Sequence, residues 1–447
     1  MLINFKHKRL FIIKTENIYS IYLPYFIITF CVFVDLLNGF IVMLLGFGFT
    51  IGVYYRGLLA TFLFLYSLKQ KSNLFFYILG IIILFIVCNL IWLTNEADYK
   101  IGLELKIFAR YLYPILILNY LIIMKEKLEN IKLMKLTILY GVIAGCSILL
   151  SFITGIGIAS YDKNYGFGIK SFFEGQNDIS LVLLLCLIFS FYFIIHNKDF
   201  KYLFYALIIT AGAFLLGTRA GMAISVLLWI LIAFSLLFFR FRSSHINLKN
   251  RIVFILSILL VVGASFIEIV NVLSRFEGTM RKFNIDVIIK GADFTRGGLV
   301  KSGKTIVSEG NIKEIYFGHG NYGFGHKNYL NLLRMPYGGD LVSYGDEQGY
   351  RTIESDFIET YGSYGFLLGT CILIVPVIFT LMALNNLLRK LSLQNFLFLI
   401  GLLMFLCNAY YAGHAIGSIS IASPLAVYFY CVYIENGVIN NRKRLKL

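Results

Sequence analysis

YRTIESDFIETYGSYGFLLG, residues 350–369, opens with an arginine and three carboxylates (Arg351, Glu354, Asp356, Glu359) and runs without a break into a long apolar segment. Charge at the lip of a membrane is costly unless it has a partner or a task. The apolar continuation decides the fold class, because similar runs of roughly 17 to 25 residues recur along the chain, each long enough to cross a bilayer. The 447 residues are 59% hydrophobic and only 14% charged, with a mean hydropathy of +0.78. A soluble domain carries about a quarter charged residues. The sequence therefore predicts an all-α polytopic membrane protein, and the opening MLINFKHKRLFIIKTEN is too polar for a cleavable signal peptide.

Working outward from the quoted stretch, about twelve spans are expected: 19–35, 37–68, 74–94, 105–123, 136–158, 179–195, 202–217, 221–239, 252–271, 356–384, 394–413 and 419–435. Segment 37–68 is overlong and contains Gly39, Gly46, Gly48, Gly52 and Arg56, so it reads as one crossing or as a broken helix. The basic clusters KHKR (6–9), KQK (69–71), KEKLENIKLMK (125–135), RFR (240–242), RK (389–390) and NRKRLK (441–446) decide for one crossing. That choice keeps every short basic loop, and both termini, in the cytoplasm. These clusters account for the net charge of +16 as topology signals, and nucleic acid is not an expected partner.

The organisation that follows is 1–271 for spans one to nine, 272–355 for a large outer loop and 356–447 for the last three spans. The loop holds eleven Lys or Arg, but loops of this length translocate largely regardless of charge. Its glycine-rich pieces (RGGLVKSGK, FGHGNYGFGH, PYGGD) read as a small folded cap, with an amphipathic helix over 296–309. The GHGNYGFG piece resembles a nucleotide loop only superficially, since no strand is expected before it and no long helix after it. All seven cysteines fall in apolar spans, so no disulfide is expected to staple the loop. No CxxC, HExxH or Walker pattern occurs, and neither a metal nor another cofactor is expected.

Arginines at membrane depth are functional-site candidates, the alternatives being snorkelling or pairing with a neighbouring acid. Arg56 and Arg110 lie inside spans, Arg219 lies in the short GTRAG turn (217–221), and Arg351 precedes the tenth span. Guanidinium groups converging from separate spans suit phosphate. If 351–365 is helical, steps of about 100° put Arg351 beside Glu354 and bring Gly362 back to within about 20° of the arginine, with Asp356 roughly opposite Glu354. That face would join an anion-binding cation, a proton-accepting carboxylate and a smooth groove for a lipid. The plainer alternative is a helix-start pair contributing a few tenths of a kcal/mol.

The arrangement Arg351, ten residues, Gly362, opening the span after a large outer loop, resembles the motif of the Wzy-type O-antigen polymerases. GQNDISLVLLL (175–185), GTRAGMAIS (217–225), TRGGLVKSGKTIVSEGNIKEIYFGHGNYGF (295–324) and AGHAIGS (412–418) resemble further motifs of the polymerase and ligase superfamily, in the same order. SDFIETYGSYGFLLG (355–369) is also similar to the stretch around the catalytic aspartate of the SEDS peptidoglycan polymerases, which falls on Asp356 here. The resemblance implies a GT-C-like bacterial inner-membrane enzyme. It would join undecaprenyl-diphosphate-linked repeat units at the periplasmic face by metal-independent, inverting transfer, with a chain-length regulator as an added partner. By the same resemblance Arg219 and Arg296, assisted by Arg351 or Arg110, would hold the diphosphate, and His414 would orient a sugar or a carboxylate. The proton acceptor is Glu354 by the helical-face argument and Asp356 by the direct match. An O-antigen ligase and a lipid-linked oligosaccharide flippase are the alternative functions.

Overall fold

The computed structural model describes residues 22–45, 51–93, 100–160, 168–197, 199–238, 294–334, 349–411, 413 and 415–444. Apart from one antiparallel bridge between Ala159 and Ile169, the regular structure of these residues is helical. A π-helical turn, Tyr25–Phe30, leads into α1 (Cys31–Leu45), followed by α2 (Ile51–Gln70), α3 (Asn73–Leu93), α4 (Ile101–Ile123), α5 (Asn130–Thr154), α6 (Gln176–Asn197), α7 (Phe200–Leu215) and α8 (Arg219–Phe238). Three cap helices follow: α9 (Phe294–Glu309), α10 (Ile312–Phe317) and α11 (Gly320–Leu333). The chain closes with α12 (Asp356–Arg389), α13 (Leu393–Tyr411) and α14 (Ala422–Arg444). Seven of the described helical stretches are long and apolar enough to cross a membrane, and parts of α7 and α8 are shorter apolar helices. The protein is thus an all-α polytopic membrane protein; the expected span 252–271 lies outside the described residues.

The apolar runs became helices nearly where their lengths put them, with one redistribution. The first helix does not stop at Asp35 but continues to Leu45. Asp35 sits inside it because Arg56 of α2 forms an ion pair with the carboxylate, while Tyr140 and Ser420 donate to the other oxygen at 3.3 and 3.2 Å. A charge that looked like a span end is a partnered one inside the bundle, and Arg56 takes the ion-pair alternative.

α6 forms the centre, with 78% of its apolar window buried against 22% for α2. Around it, small residues bring backbones together, as expected where lipid supplies no hydrophobic drive for helix association. A Cβ on Gly212 of α7 would lie 2.8 Å from the Cα of Gly145 on α5, so neither position has room for a side chain.

Two ends can be told apart. At one, the basic turns gather: Tyr66 meets Met124, Ser72 meets Asn119, Lys132 lies over Tyr25, Lys135 over Phe193, and Lys390 pairs with Glu435 at 3.0 Å. At the other, α9–α11 pack on the start of α12.

Two expectations fail at this loop-bearing end. Residues 351–355 are not helical, since α12 begins only at Asp356. Arg351 and Glu354 are therefore not set on one helical face. α12 is also broken at Gly365 (φ 64°, ψ −175°), a conformation open essentially to glycine alone. Second, GHGNYGFG does open a helix, α11, whose N-cap residue His319 makes no side-chain capping hydrogen bond. The acceptor comes from another helix, as described next.

Candidate functional site

The motifs singled out in the sequence meet one another in pairs at the loop-bearing end. Thr218 of the GTRAG turn donates to Ser180 of the GQNDIS stretch at 3.0 Å and accepts from the Gly221 N–H. That contact seats the start of α8 on α6. The Phe-Gly-His-Gly turn lies in the break of α12: the His319 N–H donates to the Gly362 carbonyl at 3.0 Å. A Cβ on Gly365 would come within 2.4 Å of the Gly318 nitrogen. Finally, the buried Asp356 accepts the N–H groups of Ala415 and Ile416, both at 2.7 Å and both on Oδ2. The neighbouring Gly413 packs on the Glu354 backbone.

α4 ties these pairs together. Glu104, fully buried in its first turn, accepts from the backbone and side-chain nitrogens of Asn321 at 3.0 and 2.8 Å and from the Tyr322 N–H at 2.9 Å. These are N–H groups that the start of α11 cannot satisfy within its own helix, and a carboxylate at that end also suits the helix dipole. Asn321 also donates to the Tyr364 hydroxyl of α12 at 2.8 Å. About two turns further along α4, Tyr111 packs edge-on to Tyr364 and touches Gly417 of the turn held by Asp356. Glu104 was missed by the sequence reading. Its only signal was a carboxylate at the beginning of an apolar span.

A second polar group lies on the cap. Lys327 donates to Glu314 Oε1 at 2.7 Å and to His319 Nδ1 at 3.0 Å. Burial, and then the Lys327 charge, push the His319 imidazole down to about 4, so it is neutral at physiological pH. Burial would raise the Glu314 carboxyl, but the hydrogen bonds from Lys327 and Asn311 prevail and hold it below its ordinary value. His319 and Glu314 border a cavity of about 220 Å³ whose other walls include Ile306, Tyr361 and Phe366.

The expected site residues are distributed as follows. Arg351 is half-buried on the extended segment before α12, its N–H bonded to the Gly325 carbonyl and its own carbonyl to Asn328. Its Nε is buried without an acceptor among the described residues, as is that of Arg56. Arg110 is half-buried on α4, next to Tyr111. Among the described residues neither arginine belongs to an ion pair. Glu354 is half-buried two residues before the doubly bonded Asp356. Arg219 begins α8 and Arg296 lies in the first turn of α9, but their side chains, and the whole of His414, lie outside the described residues. Among the described residues no three His, Cys, Asp or Glu side chains gather around a possible metal position.

Chemically, this end offers half-buried arginines that belong to no described ion pair, a half-buried carboxylate three residues after Arg351 in the chain, and an apolar span that follows it. No curated protein matches the chain. The family described as O-antigen ligase like membrane protein matches residues 16–297, a stretch that includes Arg110, Arg219 and Arg296 and ends before Arg351. A match over more than half of the sequence, on a helical bundle with this pattern of spans, places the chain in the O-antigen ligase-like family of membrane proteins, glycosyl-transferring enzymes of surface-polysaccharide assembly.

Proposed function

We propose that this protein polymerises oligosaccharide repeat units carried on undecaprenyl diphosphate, working at the periplasmic face of the bacterial inner membrane with both termini in the cytoplasm. The observation that carries this reading is Arg351, at the loop-bearing end: among the described residues it belongs to no ion pair and its buried Nε has no acceptor. A buried donor without an acceptor costs about 1–3 kcal/mol, which a bound anion would relieve. Arg351, with Arg110, Arg219 and Arg296, would hold the diphosphate and stabilise its charge as it leaves. The acceptor hydroxyl of the next lipid-linked unit attacks the anomeric carbon opposite the diphosphate. A C–O bond forms there, the bond to the diphosphate oxygen breaks, its electron pair departs with the diphosphate, and the hydroxyl proton passes to Glu354. Asp356 is assigned a holding role, since its Oδ2 already accepts two backbone N–H groups of the 415–416 turn.

A second reading is favoured by the family description itself: a ligase that hands the finished chain to lipid A core. One experiment separates them. Arg351→Ala and Glu354→Gln are introduced in a strain lacking the native copy, and the surface glycan is resolved on a gel. Polymerase loss leaves single repeat units on lipid A core, whereas ligase loss leaves none. Loss of at least about 100-fold in long chains is expected for either variant, the scale of removing a charge-stabilising group. Wild-type ladders from both variants would overturn the site.

A further inference from the structure

Beside Arg351, three rings from two elements lie almost parallel. Tyr322 and His326 of α11 are 6.2 Å apart at 8°, and Tyr322 and Tyr350 are 6.1 Å apart at 10°. All three are half-buried, so each keeps part of its surface accessible. Lys100, at the N-cap of α4, sets its ammonium over the Tyr322 ring, 4.6 Å from the ring centre. The group is held from several sides. Glu104 fixes the Tyr322 backbone. The Gly349 carbonyl takes the His326 Nδ1 proton at 2.8 Å, which in the neutral ring leaves Nε2 as an acceptor. Tyr350 lies so close over Gly325 that a Cβ there would meet its ring at 2.2 Å.

We propose that Tyr322, Tyr350 and His326, with the Lys100 ammonium over one face of Tyr322, form a stacking platform for a pyranose ring of the glycan. The inference rests on the glycan-transfer reading above and adds to it the place of a sugar near the diphosphate site. Pyranose rings present a face of C–H groups that pack against the electron-rich face of an aromatic ring, while their hydroxyls reach outward to the edge. The platform supplies both requirements: near-parallel rings for the C–H face, and His326 and the Lys100 ammonium for the sugar hydroxyls. Its rigidity matters because a surface fixed before binding loses little conformational entropy on contact. A lipid chain would have no use for these polar groups, and a free phosphate would have no use for the rings.

The test uses the full-length protein in lipid nanodiscs and, as probe, the lipid-free repeat-unit oligosaccharide cleaved by mild acid from the host's lipid-linked pool. Binding is followed by saturation-transfer NMR. Wild type is expected to transfer saturation to the sugar C–H protons. Tyr322→Ala and Tyr350→Ala should each weaken binding about tenfold, the scale of one aromatic contact. Tyr322→Phe, which keeps the ring, should bind within about twofold of wild type. Thermal unfolding of each variant shows whether it is folded, and Tyr322→Phe against Tyr322→Leu repeats the comparison at similar bulk should the alanine variants unfold. Equal binding by wild type and the ring-less variants, or no binding by wild type, overturns the platform. Arg351→Ala distinguishes this from failure of the parent reading: normal ladders from Arg351→Ala together with ring-dependent sugar binding would sink the diphosphate site and leave the platform standing.

Discussion

Asp356 shows how a residue type that reads as chemistry can be doing structural work. Its Oδ2 gathers the Ala415 and Ile416 N–H groups at 2.7 Å each, in a buried position. Removing it orphans two amides, each at about 1–3 kcal/mol, so Asp356→Ala should lower the unfolding temperature of the purified protein clearly. Asp356→Asn keeps a carbonyl acceptor of the same shape and should lie between the two. If Asp356→Ala unfolds with wild-type behaviour while abolishing long glycan chains, the residue is chemical after all and Glu354 loses its assignment. Arg56 is the converse case: an arginine at membrane depth whose partner, Asp35, lay where the sequence reading ended a helix. Arg351 differs from both. Arg56 and Arg351 each bury an Nε without an acceptor among the described residues, but only Arg56 has a carboxylate partner in a described ion pair.

Among the elements, the broken α12 has the widest consequences. The glycine at 365 takes φ 64° and ψ −175°, and the backbone of 316–318 occupies the space that a side chain would need. The freed Gly362 carbonyl accepts the His319 N–H, so the break docks the cap onto the span. Gly365→Ala should therefore cost about 1–3 kcal/mol from backbone conformation alone, with the overlap added. Limited proteolysis of the cap should accelerate in this variant before the transmembrane helices unfold. Unchanged protection of α9–α11 would show that the break does not hold the cap. A helix through 351–355 would have set Arg351 beside Glu354, but that segment is non-helical, and the break at Gly365 sets the cap's turn against α12.

At the scale of the whole molecule, the basic turns and the cap mark opposite ends of the bundle, which makes orientation measurable. In a background with the seven native cysteines replaced, Lys313→Cys on the exposed face of α10 should react with an impermeant maleimide applied to spheroplasts. Lys125→Cys in the turn after α4 should react only once the membrane is opened. The reverse pattern would put the cap in the cytoplasm and end the periplasmic reading. The family match ends at residue 297, and the segment carrying Arg351, Glu354 and Asp356 comes later in the chain, joined to α11 through the Arg351 N–H on the Gly325 carbonyl and the Asn328 side chain on the Arg351 carbonyl.

The sequence by itself determined the helical class, nearly all the described spans and the stretches that meet at one end, because a bilayer demands long apolar runs and leaves basic loops on one side. It also marked α9 through its amphipathic spacing. Only the tertiary structure decided that Asp35 belongs inside a helix, that Glu104 opens α11, that Asp356 holds a turn and that α12 breaks at Gly365. Each of these depends on a partner distant in sequence, Glu104 and Asn321 most plainly. Local periodicity carries no information about which buried donor will meet which acceptor.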